Sequence, residues 1–353
     1  METAMRGSKE KKSKENLVRV KDLRKWFPVY GGFFSKVIGH VKAVDGITFD
    51  IAQRETFGLV GESGCGKTTT GRLILRLLEP TEGSVLFEGQ NIFDYNKQQL
   101  HKIRRDIQII FQDPYASLNP RMTVESIIGK PLQIHGIANG STLRRRVEEL
   151  MEVVGLQAKY ASRYPHEFSG GQRQRIGLAR ALALYPKLII CDEPVSALDV
   201  SIRAQILNLL GELQERFDLT YLFISHDLSV IQYICKRVGV MYLGKIVEIA
   251  SQEGLYEKPI HPYTQALLSA IPTIKPDLNK KRITLEGDVP SPINPPKGCC
   301  FHPRCWLTEE ICKHTEPALA ELGRGHFVAC HVRQREMQLI TRPETKILDE
   351  CTA

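Results

Sequence analysis

The chain has 353 residues, of which 42% are hydrophobic and 25% are charged, and its net charge is +8. This length and composition are typical of a soluble globular protein with one large core and an appended unit. No apolar run approaches the roughly 18–20 residues of a membrane-spanning helix, and the charged N-terminus lacks the apolar centre of a secretory signal. The basic residues are scattered and are not interleaved with aromatic residues, so they indicate solvated surfaces rather than a nucleic-acid site. We therefore expect a cytosolic protein.

The first part of the chain is predicted to contain strands that lead into a helix. Residues 1–16 are charged and predict a disordered basic tail. Short apolar runs at 17–20, 47–51 and 56–60 predict strands, and the last of them continues directly into a glycine-rich loop. Residues 67–78 then have the apolar spacing of a helix. Strand, glycine-rich loop and helix in this order are the context that a phosphate-binding loop requires.

The middle of the chain continues this alternation. Residues 107–111, 187–191 and 221–225 are short apolar runs of the buried-strand type. Residues 143–154 have helical spacing and lie in a polar stretch between the first two runs, which predicts a helical insert. Strands that alternate with helices predict an α/β fold with a mostly parallel sheet.

The last hundred residues differ in composition. Prolines are frequent over residues 272–298 and predict an extended connector rather than a core. Five cysteines lie between residues 299 and 330, and a charged tail is predicted from about Arg333. In a reducing cytosol, such a group of cysteines indicates metal binding rather than disulfides.

Residues 61–68 fit the full pattern of a phosphate-binding loop. Their glycines let the backbone curl so that successive N–H groups point at phosphate oxygens, and the helix that follows adds a favourable dipole. Lys67 would reach the β- and γ-phosphates, and the Thr68 hydroxyl would take a position on Mg²⁺. We therefore predict nucleotide binding by Gly61, Glu62, Ser63, Gly64, Cys65, Gly66, Lys67, Thr68 and Thr69.

Two acids follow the apolar run at 187–191. Asp192 occupies the position from which a carboxylate can hold Mg²⁺, usually through water. Glu193, next to it, could polarise the attacking water as a general base. Acids at a strand end are often only solvated, but with a phosphate loop upstream they complete the parts that phosphoryl transfer needs.

A further element lies shortly before that strand, and it reads Phe168-Ser169-Gly170-Gly171-Gln172. It resembles the signature of ATP-binding-cassette (ABC) ATPases, in which this segment of one subunit closes on the nucleotide held by another. Phe168 replaces the more common leucine of that signature. The resemblance implies that Ser169, Gly170, Gly171 and Gln172 bind ATP across a dimer, through N–H and hydroxyl donors at a helix N-terminus.

The resemblance covers roughly residues 17–331 and implies a P-loop NTPase fold of the ABC ATPase type, with a RecA-like core and a parallel sheet. The nucleotide-binding domain would span residues 17–250, with a helical subdomain insert at about 113–182. A cysteine-rich C-terminal extension would span residues 251–353, with its cysteines at 299–330.

Other residues take roles from the same resemblance. Gln112 resembles the glutamine that contacts Mg²⁺ and the attacking water and that senses the transmembrane partner. Asp199 lies in a segment that resembles the loop coupling the two ATP sites. His226 resembles the switch histidine that contacts the γ-phosphate. The catalytic set implied is Glu193, His226, Gln112 and Lys67, and the Mg²⁺ set is Thr68, Gln112 and Asp192.

An aromatic side chain stacks on adenine in this family. Phe27 matches that position best, and Trp26 and Tyr30 are close enough in sequence to be alternatives. The motif set is complete, so the resemblance implies a competent hydrolase rather than a degenerate subunit.

Several segments resemble the ATP-binding subunits of bacterial dipeptide and oligopeptide importers, in particular the second of their two ATPase subunits. These segments are an insertion at Val29–Val41 and the motifs beginning at Gln112, Glu193, His261 and Pro290. The resemblance implies a peripheral membrane protein on the cytoplasmic face of the inner membrane. Its partners would be a second ABC ATPase subunit in a heterodimer, two transmembrane permease subunits and, through the complex, an extracytoplasmic peptide-binding protein.

The cysteine spacing is unlike that of paired C-x-x-C zinc knuckles, and four thiolates suit either an iron–sulfur cluster or zinc. Related peptide-importer ATPases carry a [4Fe–4S] cluster here, which implies Cys299, Cys305, Cys312 and Cys330 as ligands, with Cys300 as an alternative to Cys299. Zinc or free thiols are the other interpretations.

The motifs do not identify the cargo, because relatives that import nickel chelates or glutathione share them. An alternative from another class is a soluble ABC ATPase that acts on nucleic acid or ribosomes. Such proteins commonly have two cassettes in one chain or a long coiled-coil insertion, and this chain has neither, so we expect no nucleic-acid partner.

Overall fold

The computed structural model describes residues 15–31, 36–271, 282–323 and 325–341. The predicted basic tail lies almost entirely outside these residues. Of that tail only Glu15 and Asn16 are described, and Asn16 already begins a strand. Part of the predicted proline-rich connector, residues 272–281, also lies outside them, as does Cys351.

The elements follow one another as strands and helices in alternation. The strands are β1 (Asn16–Gly31), β2 (Lys36–Ala52), β3 (Thr56–Val60), β4 (Glu82–Phe87), β5 (Gln90–Asn91), β6 (Ile107–Ile110), β7 (Leu188–Asp192), β8 (Thr220–Ser225), β9 (Arg237–Tyr242), β10 (Lys245–Ser251), β11 (Ala320–Glu321) and β12 (Phe327–Val328). The helices are α1 (Lys67–Ile74), α2 (Lys97–Asp106), α3 (Pro114–Ser117), α4 (Val124–Ile134), α5 (Gly140–Val153), α6 (Gly170–Leu182), α7 (Val200–Phe217), α8 (Leu228–Ile234), α9 (Gln252–Glu257), α10 (Pro262–Ser269), α11 (Glu310–His314) and α12 (His331–Thr341).

The described strands form two sheets. The larger sheet has the order β11-β12-β10-β9-β3-β8-β7-β6, and its strands from β9 to β6 are parallel. The smaller sheet is antiparallel and has the order β2-β1-β4-β5. The predicted α/β fold with a parallel sheet is therefore confirmed, and an antiparallel sheet accompanies it.

The parallel sheet separates two hydrophobic cores. Successive side chains of a strand point to opposite faces, so neighbouring residues enter different cores. In β3, Leu59 packs in the core shared with the antiparallel sheet and Val60 in the core shared with α4–α7. Both are fully buried. The strands are thus covered on both faces, which explains their continuous apolar runs.

The predicted helix at residues 67–78 ends earlier than expected, at Ile74. Arg76 adopts a left-handed conformation with φ 49. Its N–H donates to Leu73 O, and the N–H of Leu77 donates to Arg72 O. This pair of hydrogen bonds is a Schellman motif, which normally has glycine at the left-handed position. Because arginine occupies this position, the sequence contains no glycine that would indicate the end of the helix.

Two further regions differ from the sequence expectations. Residues 29–31 and 36–41 belong to a segment expected only as an insertion, and they extend β1 and β2 into a long antiparallel pair, in which Pro28 lies opposite His40. The expected charged tail begins with a helix, α12, at His331–Thr341. The β1–β2 extension depends on strand register, and α12 is held by side-chain contacts such as that of Arg335 with Glu309, so residue composition predicts neither element.

Candidate functional site

The loop between β3 and α1 is fixed by close approaches of other backbone segments. Gly66 has φ 107, and a Cβ atom there would lie 2.1 Å from Ala43 O. Gly61 has φ 150, and a Cβ atom there would lie 2.1 Å from Met241 O. No other residue type fits these two positions, because L side chains disfavour such φ values and the space is filled. Gly61 and Gly66 are therefore required by packing as well as by phosphate approach, whereas a Cβ atom on Gly64 would meet no other atom within 4 Å.

Lys67 lies inside the curl of this loop. Its side chain is buried, and its Nζ donates to Gly61 O at 2.8 Å and to Glu62 O at 3.0 Å. Cys65 Sγ is 3.6 Å from the same nitrogen, and burial raises the pKa of the Cys65 thiol. The arrangement concentrates one positive charge among backbone groups at the N-terminus of α1, which suits an anionic ligand.

Asp192 connects this loop to the end of β7. The Thr68 hydroxyl donates to Asp192 Oδ1 at 2.9 Å. Burial raises the pKa of Asp192, and the hydrogen bond from Thr68 partly opposes that effect. A buried carboxylate next to a hydroxyl at the mouth of a phosphate loop is a suitable pair of oxygen ligands for Mg²⁺.

Glu193 is held between two side chains from neighbouring strands. Gln112 Nε2 donates to Glu193 Oε2 at 3.0 Å, and His226 Nδ1 lies 3.1 Å from Glu193 Oε1. Gln112 follows β6, Glu193 follows β7 and His226 follows β8. Because adjacent parallel strands end at the same sheet edge, the three side chains meet beside the phosphate loop, which follows β3. Glu193 itself has φ 48, an uncommon conformation for a non-glycine residue that often occurs at functional sites.

The Ser169–Gln172 segment begins helix α6. Ser169 and Gln172 form a reciprocal capping box, in which Ser169 N donates to Gln172 Oε1 at 3.0 Å and Gln172 N to Ser169 Oγ at 3.4 Å. Phe168 is buried and makes an edge contact with the Tyr160 ring at 6.1 Å. A phenylalanine in place of leucine thus fills a core site and leaves the polar atoms of the cap in place.

The Ser169–Gln172 segment lies beside the loop that contains Asp199. A Cβ atom on Gly171 would lie 2.5 Å from Ile202 Cγ2, and one on Gly170 would lie 3.4 Å from Leu198 Cδ2. Among the described residues, a hydrogen bond links the phosphate loop to Asp192, and no hydrogen bond or ion pair links it to Ser169–Gln172. The structure therefore brings the predicted nucleotide residues together in two groups.

The three aromatic candidates for adenine stacking differ in their surroundings. The Trp26 ring N–H donates to Asp45 Oδ1 at 3.1 Å. The Phe27 ring is half-buried under Lys25 Nζ, 5.1 Å from its centroid. Tyr30 is 62% exposed. Lys42 Nζ likewise lies 5.1 Å from the Trp26 ring centroid, so Phe27 stays the predicted choice on the family resemblance alone.

The four predicted ligand cysteines, here called the cysteine group, are Cys299, Cys305, Cys312 and Cys330. They share one neighbourhood, since Cys299 N donates to Cys312 O at 2.8 Å. Burial raises the pKa of Cys299 to about 12, with further contributions from the other three thiols. Within the described ranges, however, no three His, Cys, Asp or Glu residues are arranged as a ready-made metal site.

Cys300 is directed away from the cysteine group. Its buried Sγ is 3.9 Å from Tyr242 O. Together with Cys299 it also lines a cavity of about 720 Å³ between the extension and the β1–β2 pair. This placement favours Cys299 over Cys300 as a member of the group.

Two residues that the sequence analysis did not assign to the nucleotide site contact the phosphate loop. Tyr263 Oη accepts a hydrogen bond from Glu62 N at 2.9 Å. The Arg304 guanidinium forms an ion pair with the Glu62 carboxylate at 3.0 Å. Tyr263 lies 201 residues and Arg304 242 residues from Glu62 in the sequence, so no local pattern could have identified them. Tyr263 lies in the His261–Thr264 motif, which the sequence analysis named as a family resemblance, whereas Arg304 lies in no motif named for the nucleotide site.

A mostly apolar groove lies between α2, β6 and α4. Its volume is about 370 Å³, and Ile103, Phe111 and Ile134 are among the residues that line it. The rings of His101 and His135 stack across it at 4.2 Å. The groove adjoins Gln112 through Phe111, so it is connected to the Glu193 arrangement.

Among the described residues, no helix is both long enough and apolar enough to cross a membrane.

Two family patterns match this chain. The ABC transporter pattern matches residues 44–196, and the C-terminal region of oligopeptide/dipeptide transporters matches residues 247–312. Among solved structures, the ADP- and phosphate-bound dimer of the ATP-binding cassette MJ0796 is similar, with a TM-score of 0.59 and 30% identity. That match covers 67% of this chain and 98% of the cassette.

Curated relatives match over nearly their whole length. The oligopeptide transport ATP-binding protein AppF of Bacillus subtilis is 55% identical over 91% of this chain and 98% of its own. The dipeptide transport ATP-binding protein DppF of Haemophilus influenzae is 49% identical over 90% of this chain and 97% of its own. The chain therefore belongs to the ABC transporter ATPases, in the oligopeptide and dipeptide transport ATP-binding family.

Proposed function

We propose that this chain is the ATP-hydrolysing subunit that powers import of dipeptides or oligopeptides across the bacterial cytoplasmic membrane. The observation that carries the ATPase assignment is the arrangement of Glu193 between Gln112 and His226, beside the phosphate loop. The peptide cargo is supported by the relatives named as oligopeptide and dipeptide transport proteins.

The phosphate loop would bind the triphosphate of ATP. Backbone N–H groups of residues 61–69 would donate to phosphate oxygens, except that of Glu62, which donates to Tyr263 Oη. Lys67 would exchange its carbonyl partners for the β- and γ-phosphates. Thr68 and Asp192 would hold Mg²⁺, which neutralises developing charge on the phosphates, and Gln112 would add a further oxygen ligand. Phe27 would stack on adenine.

Glu193 would act as the general base. Its carboxylate accepts from Gln112 and faces His226, so both neighbours restrain its rotamer. Such restraint places the base where it can orient a water in line with the γ-phosphate. His226 would contact the γ-phosphate and so report whether hydrolysis has taken place. The three residues work as a unit because they lie at the ends of adjacent strands.

The Ser169–Gln172 segment would complete the ATP site of a partner subunit, and Asp199 beside it would couple the two sites. Among the described residues, no hydrogen bond or ion pair joins this segment to the phosphate loop of its own chain, which leaves its polar groups available for such sharing. The similar cassette in the MJ0796 structure is a dimer. We propose a related second ABC ATPase subunit as the partner, which gives a heterodimer with two shared sites.

The groove beside Gln112 would receive a segment of a transmembrane permease subunit. Its apolar lining suits an apolar helix face. Because the groove adjoins the Gln112 segment, closure of the ATP site would move the groove and the permease segment bound in it. The chain would then be a peripheral protein on the cytoplasmic face of the inner membrane. Two permease subunits and an extracytoplasmic peptide-binding protein would complete the importer.

We propose domain bounds of 17–250 for the nucleotide-binding domain, with the helical subdomain at about 113–182, and 251–353 for the extension. In the extension, the cysteine group would hold a [4Fe–4S] cluster. Four thiols in one neighbourhood are a suitable donor set for it, and they would have to lose their protons and close in on the iron. When bound, the cluster would tie separate segments of the extension together.

Reconstitution of the complete importer in lipid vesicles tests the proposal. The chain, its related ATPase subunit, both permease subunits and the binding protein are combined, and phosphate release is measured with candidate ligands. We expect dipeptides or longer peptides to stimulate ATP hydrolysis, while a nickel chelate and glutathione serve as controls. Stimulation by either control, with no response to any peptide, would reject the peptide cargo but leave the ATPase assignment in place.

A further inference from the structure

The extension contacts the phosphate loop through a buried tyrosine. Tyr263 is fully buried, and its hydroxyl accepts from Glu62 N at 2.9 Å. Its ring packs against Tyr242 and Phe301 with centroids 4.7 and 5.4 Å away. Buried aromatic rings have few alternative rotamers in a dense core, so the hydroxyl is a fixed acceptor for the loop.

The position of Tyr263 is itself fixed by the start of helix α10. His261 caps this helix, since its Nδ1 accepts from Tyr263 N at 3.1 Å. The backbone N–H of His261 donates to the buried Glu248 carboxylate at 3.0 Å. Burial lowers the pKa of His261 to about 4, so the ring is neutral and can accept. The motif at residues 261–264 thus builds the support for the tyrosine.

An arginine from the cysteine-rich region contacts the same loop residue. Arg304 Nη1 lies 3.0 Å from Glu62 Oε2, and the Arg304 side chain is only 9% exposed. The Glu62 side chain is 28% exposed. Since the pair is largely shielded from water, its charges are weakly screened. Arg304 directly precedes Cys305 of the cysteine group.

Glu62 has a direct connection to the residue that binds phosphate. Its carbonyl oxygen accepts from Lys67 Nζ at 3.0 Å, and its N–H and carboxylate are held by the extension. An unpaired carboxylate at this position would repel the triphosphate, because it would lie inside the phosphate loop itself. Pairing with a cation removes that repulsion without removing the residue.

We propose that Tyr263 and Arg304 are positioning residues for ATP: Tyr263 fixes the backbone of the phosphate loop at Glu62, and Arg304 neutralises the Glu62 carboxylate. The nucleotide-binding site is therefore incomplete without the extension. This inference rests on the proposed ATP binding at the loop. It predicts that changes at residue 304, outside the nucleotide motifs, alter ATP affinity and not the hydrolytic step.

A double-mutant cycle tests the charge role of Arg304. Equilibrium binding of a fluorescent ATP analogue with Mg²⁺ is measured for the wild type, Arg304→Met, Glu62→Gln and the double variant. We expect Arg304→Met to weaken binding about ten-fold, equal to about 1.4 kcal/mol, and Arg304→Lys to weaken it less. Glu62→Gln in the Arg304→Met background should restore binding to within about three-fold, because no charge is then left unpaired.

Tyr263→Phe tests the backbone role separately. It removes the acceptor for Glu62 N–H, and we expect ATP binding to weaken several-fold, as a lost buried hydrogen bond predicts. Glu62→Gln should not rescue this variant, because the lost contact is to the backbone. In the assembled ATPase, KM for ATP should rise for both single variants while kcat stays within about two-fold, which a generally damaged fold would not produce.

Arg335→Met is the matched control, since it removes an exposed ion pair with Glu309 elsewhere in the extension. Its ATP affinity should equal that of the wild type. Unfolding temperatures without nucleotide identify any variant that fails to fold, and Arg304→Lys then carries the test. Unchanged affinity in Arg304→Met, or a loss that Glu62→Gln does not reverse, would overturn the inference. If the wild type itself bound no ATP, the proposed function would fail instead.

Discussion

The phosphate loop and the cysteine group differ in the atoms from which they are built. The phosphate loop uses backbone groups whose positions are set by the close approach of Ala43 O and Met241 O to its glycines. The cysteine group uses side-chain sulfur atoms, which lie near one another but form no ready-made metal site among the described residues. Both were recognisable from the sequence, yet only the loop has backbone positions that are fixed by packing.

The physical reason is the number of free torsions. Backbone donors at the start of a helix are fixed once the strand and the helix have formed, because their directions follow from φ and ψ. A thiol keeps its χ1 rotation and its proton until a metal displaces that proton. Backbone sites can therefore exist before their ligand, whereas side-chain sites often take their final form with it. Four predictions test this contrast, in order of expected effect.

Glu193→Gln should abolish turnover while the phosphate loop still binds ATP. Removing a general base costs about a hundred-fold to ten-thousand-fold in rate, and the glutamine keeps the size of the side chain. Phosphate release and nucleotide binding are measured on the same preparation. Glu215→Gln, on the exposed side of α7, is the control. Substantial remaining hydrolysis would refute the role of Glu193 as base.

Cys305→Ser should remove iron from the extension. Protein prepared without oxygen should show broad visible absorption and about four irons per chain, and anaerobic chelation should abolish the absorption. The serine variant should lose this signal, while Cys300→Ser should keep it, because Cys300 Sγ faces Tyr242 O. A colourless wild type with one bound zinc would contradict the cluster and favour a zinc site.

Gly66→Ala should destabilise the protein more than an equivalent change elsewhere. Both Gly66 and Gly89 have positive φ, but a Cβ atom would clash only at Gly66, 2.1 Å from Ala43 O. Gly89→Ala should lower the free energy of unfolding by about 1–2 kcal/mol. Gly66→Ala should lower it by about 2–4 kcal/mol, because overpacking is added. Urea unfolding without nucleotide measures both. Equal losses would mean that the loop is not preformed by packing.

Asp192→Asn should make the protein more stable when Mg²⁺ and nucleotide are absent. Burial raises the pKa of Asp192, so its contribution to stability is present below the unfolded carboxyl pKa and is lost as pH rises through the folded pKa. Asparagine avoids that loss and can still accept from Thr68. The stability difference, measured by urea unfolding from about pH 4 to about pH 8, should grow with pH. A variant less stable than the wild type at every pH would contradict this reasoning.

Local patterns predicted the elements that carry the nucleotide residues. Strand β3 has the predicted bounds, because an apolar run followed by a glycine-rich loop permits few other structures. The early end of α1 could not be predicted, since Arg76 takes a position that glycine usually occupies. The long β1–β2 pair could not be predicted either, because pairing of residues 29–31 with residues 36–39 depends on register rather than on composition.

The sequence by itself determined the phosphate loop, the acids after β7 and the membership in a family, because these depend on residue type at fixed spacing. Only the tertiary structure decided that Gln112 and His226 meet on Glu193, although each follows a strand that the sequence had marked. Only the tertiary structure showed that Tyr263 and Arg304 hold Glu62. Contacts between residues about two hundred positions apart arise from the packing of whole elements, and no local spacing encodes them.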